Sequence, residues 1–124
     1  MDTRWAQGLL SDTRAAVEAL ASRPVPHLAR LSDAVRAYGD EIDAATDPRT
    51  DRQTGVRLAA ELGSLLRRAE GLGAEAQAIA AIAAWYFLDR SDGEDDLSSP
   101  FGFDDDVEVF DAAAAAIAPE LRWR

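Results

Sequence analysis

The chain has 124 residues, no cysteine and a formal charge of −10, which predicts one domain and excludes disulfides, thiolate metal sites and cysteine nucleophiles. Nine acids and one arginine lie in residues 89–108, and this acidic field disfavours binding to DNA, RNA or an anionic membrane. The longest apolar run, residues 78–88, is too short for a membrane span and the start lacks a signal-peptide pattern, so we expect a cytoplasmic protein.

Two helices are predicted before residue 46. Apolar side chains recur at helical spacing from Trp5 to Leu20, and the two prolines that follow end this first helix. A second helix runs from about His27 to Ala45 and carries one apolar seam with spacings of 3, 4, 3 and 4 residues. The seam consists of Leu28, Leu31, Val35, Tyr38 and Ile42.

The third predicted helix begins at a pattern typical of a capping box. Thr50 would be the N-cap and Gln53 would reach back to it, and the helix then runs to about Glu70 with a wide apolar stripe. Gly71 and Gly73 favour a helix end followed by a tight turn. A turn this short makes the next helix an antiparallel neighbour.

The fourth predicted helix, residues 74–88, is apolar on all sides, which is typical of a central helix. Residues 89–103 have no periodicity, and a connection of this length is usually functional or disordered. The last helix would start with Asp105 as N-cap and Glu108 at its third position. Its expected buried seam consists of Val107, Phe110, Ala114, Ile117 and Leu121. Together these elements predict an all-α, single-domain bundle of about five helices over residues 1–124, with a long acidic loop between the last two.

Three hypotheses explain the acidic segment 89–108. Its acids could be solvated and serve solubility and helix capping, dock a basic protein partner, or hold Mg²⁺ or Ca²⁺ through oxygen ligands. The candidate binding residues are Asp92, Asp95, Asp96, Asp105 and Asp106. The metal hypothesis uses four of them: Asp92, Asp96, Asp105 and Asp106. We adopt docking by a non-enzymatic interaction or regulatory module as the functional hypothesis, immunity- or antitoxin-like by analogy, with the structural or hydrolytic metal site as its alternative.

Catalysis has little support in the sequence, and no catalytic residue is assigned. The single histidine, His27, follows a proline at a helix start and is expected to be half-exposed. A calcium-binding EF-hand is excluded, because placing its glycine at Gly93 puts Leu88, Arg90 and Ser99 where carboxylates are required. No serine-hydrolase, phosphate-loop or zinc-protease motif is present. We therefore expect no cofactor other than the divalent cation of the alternative hypothesis.

The stretch YFLDRSDGEDDLSSPFGFDDDVEVF, residues 86–110, resembles the YkvA-like family, a small bacterial domain of unassigned biochemical function. The family pattern has an aromatic helix end, which matches Tyr86–Leu88, and two loop aspartates, which match Asp92 and Asp96. It continues with a glycine–aromatic pair, matched by Gly102–Phe103, and with paired aspartates, matched by Asp105 and Asp106. The resemblance extends over about Tyr86 to Ile117 and implies a helix–acidic loop–helix core at 74–118. Arg90 and Asp95 stand where the family usually has proline, so this loop is more acidic than the family pattern.

Overall fold

The computed structural model describes residues 2–89 and 102–124, and across these residues it is helical without any strand, as the sequence predicts. The described residues form five α-helices and two short 3₁₀ helices. The α-helices are α1 (Ser11–Leu20), α2 (Leu28–Asp43), α3 (Arg52–Glu70), α4 (Ala74–Leu88) and α5 (Asp104–Ile117), and the 3₁₀ helices are Arg4–Ala6 and Pro119–Leu121. Within the described ranges, none of these helices combines the length and apolar character needed to cross a membrane.

The predicted first helix is wrong in one respect, because the chain between Trp5 and Leu20 forms two separate pieces. A 3₁₀ turn ends at Ala6, and α1 begins only after Leu10, whose backbone is extended and whose side chain is 68% exposed. Gly8 lies in the break, and glycine lowers the stability of a continuous helix by about 1 kcal/mol relative to alanine. The indole N–H of Trp5 is buried and has no hydrogen-bond partner among the residues that the structure describes.

Helix α4 occupies the centre of the bundle, as its uniformly apolar sequence predicts. It packs against α1, α2, α3 and α5, and nine of its side chains are buried. Tyr86 and Phe87 lie in the core, whereas Trp85 is only half-buried and has the guanidinium of Arg23 5.4 Å from its ring centroid. The aromatic end of the helix is therefore mainly core, as expected.

Helices α2 and α3 form a tightly packed antiparallel hairpin. Every residue of the predicted α2 seam is buried. A Cβ added to Gly39 would lie 2.8 Å from the Cβ of Ala59, so the two helices touch at this point. The N-cap of α3 is Asp51 rather than Thr50, since the Asp51 carboxylate accepts a hydrogen bond from the backbone N–H of Thr54 at 3.3 Å.

A chain of aromatic rings joins α5 to this hairpin. The Tyr38 and Phe87 ring centroids are 4.9 Å apart, and those of Phe87 and Phe103 are 6.3 Å apart. The ring of Phe103 is fully buried and lies where Gly55 has no side chain, because a Cβ there would be 2.8 Å from the ring and 2.9 Å from Cγ2 of Ile42. Phe103 thereby fixes the start of α5 beside the end of α2 and the start of α3.

Helix α5 buries a stripe different from the predicted one. Phe110 and Ala114 are buried as expected, but Val107 and Ile117 are only half-buried, as is Leu121, which lies beyond the end of α5. The fully buried face also includes Asp106, Val109 and Ala113. The helix ends at Ile117, and the chain turns into the 3₁₀ helix at Pro119.

The last seven residues, 118–124, form a C-terminal strap across α3 and α5. Trp123 meets the buried ring of Phe110 edge-on at 6.2 Å, and the guanidinium of Arg57 lies 3.9 Å from the Trp123 ring centroid. Such cation–π contacts contribute about 0.5–1 kcal/mol at exposed sites. Arg122 donates two hydrogen bonds to the Asp111 carboxylate, at 2.8 and 3.1 Å.

We expect Gly55→Ala to destabilise the fold by about 1–3 kcal/mol, because the new methyl group would overlap the Phe103 ring and Ile42. Urea denaturation followed by circular dichroism measures this change. Gly63→Ala is the matched control in the same helix: its Cβ would meet only the end of the Arg67 side chain, at 3.5 Å. Alanine there should be neutral or stabilising by up to about 1 kcal/mol. Equal losses in both variants would contradict the role assigned to Gly55.

A second prediction concerns pH and the strap. Hydrogen bonds from Arg122 and from the backbone N–H of Trp123 hold the pKa of Asp111 below its ordinary value. A carboxyl group whose pKa is lowered by folding stabilises the native state above its unfolded pKa of about 3.9 and loses that contribution as the pH falls through the folded value. Asp111→Asn should therefore accelerate amide exchange in the strap at neutral pH. The difference from wild type should shrink once the pH falls below about 3.9 and disappear below the lower pKa that Asp111 has in the folded protein.

The control is Asp33→Asn, an exposed aspartate on α2 with no ion pair in the described part of the chain. It should leave exchange in the strap unchanged at every pH. An Asp111→Asn difference that persists undiminished in acid would show that the carboxylate charge does not hold the strap.

Candidate functional site

One end of the bundle, here called the acidic end, collects carboxylates from four helix termini. The contacts of Phe103 with Gly55, Ile42 and Phe87 place the start of α5 beside the start of α3, the end of α2 and the end of α4. The acids that the described residues bring to this end are Asp43, Asp47, Asp51, Asp89, Asp104, Asp105, Asp106 and Glu108. The acidic field is therefore wider than segment 89–108 alone.

Three consecutive aspartates occupy the first turn of α5. The N-cap is Phe103, and Asp104, Asp105 and Asp106 are the first three helical residues, so the prediction of Asp105 as N-cap is wrong. The burial of the Phe103 ring decides where the helix begins. Each carboxylate gains about 0.3–1 kcal/mol from the positive end of the helix macrodipole.

The structure separates two aspartates that the sequence treats alike. Asp105 is exposed, whereas Asp106 is only 6% exposed and belongs to the buried face of α5. Burial of a carboxylate is costly unless other groups stabilise its charge, and Asp106 does interact with other groups of the protein. Asp104 and Asp105 can therefore meet a partner directly, whereas Asp106 is part of the support beneath them.

The other candidate acids, Asp92, Asp95 and Asp96, lie outside the described residues. Their proximity to Asp105 and Asp106 therefore stays a prediction. Within residues 2–89 and 102–124, no group of three or more acids or histidines is close enough together to hold a metal ion. The four-residue metal hypothesis requires Asp92 and Asp96 and is not tested by this finding.

Sequence reasoning missed the contribution of the connection between α2 and α3. Asp43 ends α2, Asp51 caps α3, and Asp47 between them pairs with Arg49 at 2.8 Å. Arg49 lowers the pKa of Asp47, mainly through its side-chain hydrogen bonds, so this acid stays charged to lower pH than usual. The sequence contains a signal for this position, namely the antiparallel order of successive helices. That order predicts that the connection between α2 and α3 lies at the same end of the bundle as the start of α5.

His27 is the N-cap of α2 and is exposed, in agreement with its expected position at a helix start. It lies at the beginning of α2, whereas the acidic end contains the end of that helix. The histidine and the acids are thus separated by the length of α2, and they do not form a catalytic pair.

Comparisons with protein-family models, with curated proteins and with solved structures gave no match to the chain. The resemblance of residues 86–117 to the YkvA-like family stays a prediction from the quoted residues.

Proposed function

We propose that the protein is a non-enzymatic interaction module that docks a basic protein partner at its acidic end. The observation that carries this proposal is the packing of Phe103 on Gly55, which brings acids from α2, α3 and α4 to the start of α5. Segment 89–108 joins the end of α4 to the start of α5, so its acids add to the negative charge of the chain near this end in sequence.

Charge of one sign at one end of a protein attracts or repels other molecules before they come into contact with it. A concentrated negative field raises the rate of encounter with a positive surface and disfavours partners of the same sign. Residues 89–108 contribute most of the charge of −10, since the rest of the chain has 14 acids against 12 arginines. The field therefore favours encounters in which a basic protein approaches the acidic end.

This arrangement suits a regulator that covers the basic surface of its partner, as an immunity or antitoxin protein does. That comparison rests on size, charge and helical architecture, and fold alone does not decide function. It supplies the expectation that binding is stoichiometric and blocks the basic surface of the partner.

We expect neutralisation of four acids of segment 89–108 to weaken binding to a labelled peptide rich in arginine and lysine. The variant combines Asp92→Asn, Asp96→Asn, Asp104→Asn and Asp105→Asn, and it leaves the buried Asp106 unchanged. Four charges at about 0.2–1 kcal/mol each sum to about 0.8–4 kcal/mol, which corresponds to at least about a fourfold increase in Kd. Fluorescence anisotropy at physiological salt measures the change, and circular dichroism checks the fold.

A matched control removes the same number of charges elsewhere. It combines Asp12→Asn, Glu18→Gln, Asp33→Asn and Glu70→Gln, all exposed and carried by α1, the first half of α2 and the end of α3. Its Kd should stay within about threefold of wild type, since exposed charges away from the contact are largely screened. Equal weakening in both variants would show that net charge alone attracts the peptide and would overturn the proposed docking site.

The alternative is a Mg²⁺ or Ca²⁺ site formed by Asp92, Asp96, Asp105 and Asp106. The first turn of α5, which carries both Asp105 and Asp106, is the observation that favours it, because hard divalent cations prefer carboxylate oxygens. This alternative predicts a melting temperature that rises by several degrees at saturating cation and returns with chelator. Sodium chloride of equal ionic strength is the control, and no cation-specific rise at millimolar concentration would dismiss the alternative.

A further inference from the structure

A groove of about 420 Å³ runs along the outer side of the α2–α3 hairpin. Its floor is made of small residues, including Gly39, Ala59 and Gly63, where the two helices approach most closely. A volume of this size is within the range of small-molecule sites. The groove is separate from the acidic segment 89–108 and shares only Asp43 with the acidic end.

Because α2 and α3 are antiparallel, the basic and acidic residues of the groove lie toward opposite ends of it. Gly39 faces Ala59, and Ile42 faces Gly55, so the first half of α2 lies beside the second half of α3. Arg36 and Arg67 therefore lie on the side of the groove toward the start of α2, called its basic end, and Asp40 and Asp43 lie toward the end of that helix.

The basic end is partly organised before any ligand arrives. Ser64 Oγ donates to the Ala60 carbonyl oxygen at 3.3 Å and accepts a hydrogen bond from Nη2 of Arg67 at 3.2 Å. These contacts hold the guanidinium over Gly63, with its Nη1 3.5 Å from where a Cβ of that glycine would be. A guanidinium oriented in this way loses less freedom when it binds an anion.

The charged groups of the groove are not engaged with one another. No carboxylate in the described part of the chain lies within ion-pair distance of Arg36 or Arg67. In a protein with 23 acids and 13 arginines, it is unexpected that two arginines of one groove have no acidic partner among the described residues. Guanidinium groups bind carboxylates through paired hydrogen bonds, which makes a carboxylate the natural ligand of this end.

The distance between the basic and acidic residues of the groove determines how far apart the charged groups of a matching ligand must be. Asp40 and Asp43 follow Arg36 by four and seven residues, or about 6 and 10 Å along a helix that rises about 1.5 Å per residue. A second copy of the chain fits this surface poorly, because two concave grooves that face each other across a two-fold axis enclose a void.

We propose that the α2–α3 groove binds an extended zwitterion, with its carboxylate on Arg36 and Arg67 and its ammonium group near Asp40 and Asp43. Short peptides and ω-amino acids have this chemistry. The small residues of the floor leave room for the aliphatic part of such a ligand, and the two charged ends fix its direction.

The probe is ε-aminocaproate, whose charges are separated by five methylene groups, titrated into the full chain by isothermal calorimetry. Caproate lacks the ammonium group, hexylamine lacks the carboxylate, and glycine is too short to reach both ends. Saturable binding of ε-aminocaproate that is about tenfold tighter than that of each comparison compound supports the proposal. No saturation at millimolar ligand, or equal affinity for caproate, overturns it.

Two pairs of variants locate the site. Arg36→Gln and Arg67→Gln should each raise the Kd of ε-aminocaproate about tenfold, whereas Arg30→Gln, on α2 but outside the groove, should change it less than about twofold. Ala60→Leu should fill the groove and abolish binding, whereas Ala37→Leu, exposed elsewhere on α2, should not. Circular dichroism confirms the fold of each variant. Binding that survives Ala60→Leu and both arginine variants would place the ligand elsewhere and overturn the proposal.

Discussion

The contact between the Phe103 ring and Gly55 is the constraint on which the acidic end depends. The ring is fully buried and occupies the space that any other side chain at position 55 would fill. Burial of a phenylalanine contributes about 1.5–3 kcal/mol, which exceeds the gain of about 0.3–1 kcal/mol that each first-turn aspartate draws from the helix macrodipole. An apolar contact therefore brings together carboxylates that repel one another, and the charged surface is a consequence of core packing.

The α2–α3 hairpin supports both proposed sites for the same physical reason. Small residues at Gly39, Gly55 and Gly63 let other groups approach the helix backbones closely. At the acidic end, the space is taken by the ring of Phe103. Along the outer side, the space at Gly63 stays open apart from the guanidinium of Arg67, and it forms part of the groove. One hairpin thus carries part of the proposed docking surface at its end and the proposed binding groove on its side.

The sequence predicts helices well where one side of the helix is apolar and the other polar. The α2 seam is an example, and α4 is recognised by its lack of any polar side. The pattern fails where a polar residue is buried, because Asp106 belongs to the core face of α5 and no apolar periodicity includes it. It also fails at the break near Gly8, since apolar spacing continues across a backbone turn.

The candidate site was predictable only in part for a related reason. The aspartates of the α5 first turn are visible as a run in the sequence, but the difference between exposed Asp105 and buried Asp106 depends on how the helix is rotated in the bundle. The groove was not predictable, because Arg36 and Arg67 are 31 positions apart and meet only through the register of two antiparallel helices.

The three tryptophans occupy three different electrostatic environments. Trp5 has a buried indole N–H, Trp85 has Arg23 near its ring, and Trp123 has Arg57 much closer. A nearby positive charge changes the energy of the excited indole, so the three emission spectra should differ. In a protein that keeps only Trp123, release of the strap would move the ring away from its guanidinium. The emission wavelength of Trp123 would then report on the release of the strap while the helical bundle stayed folded.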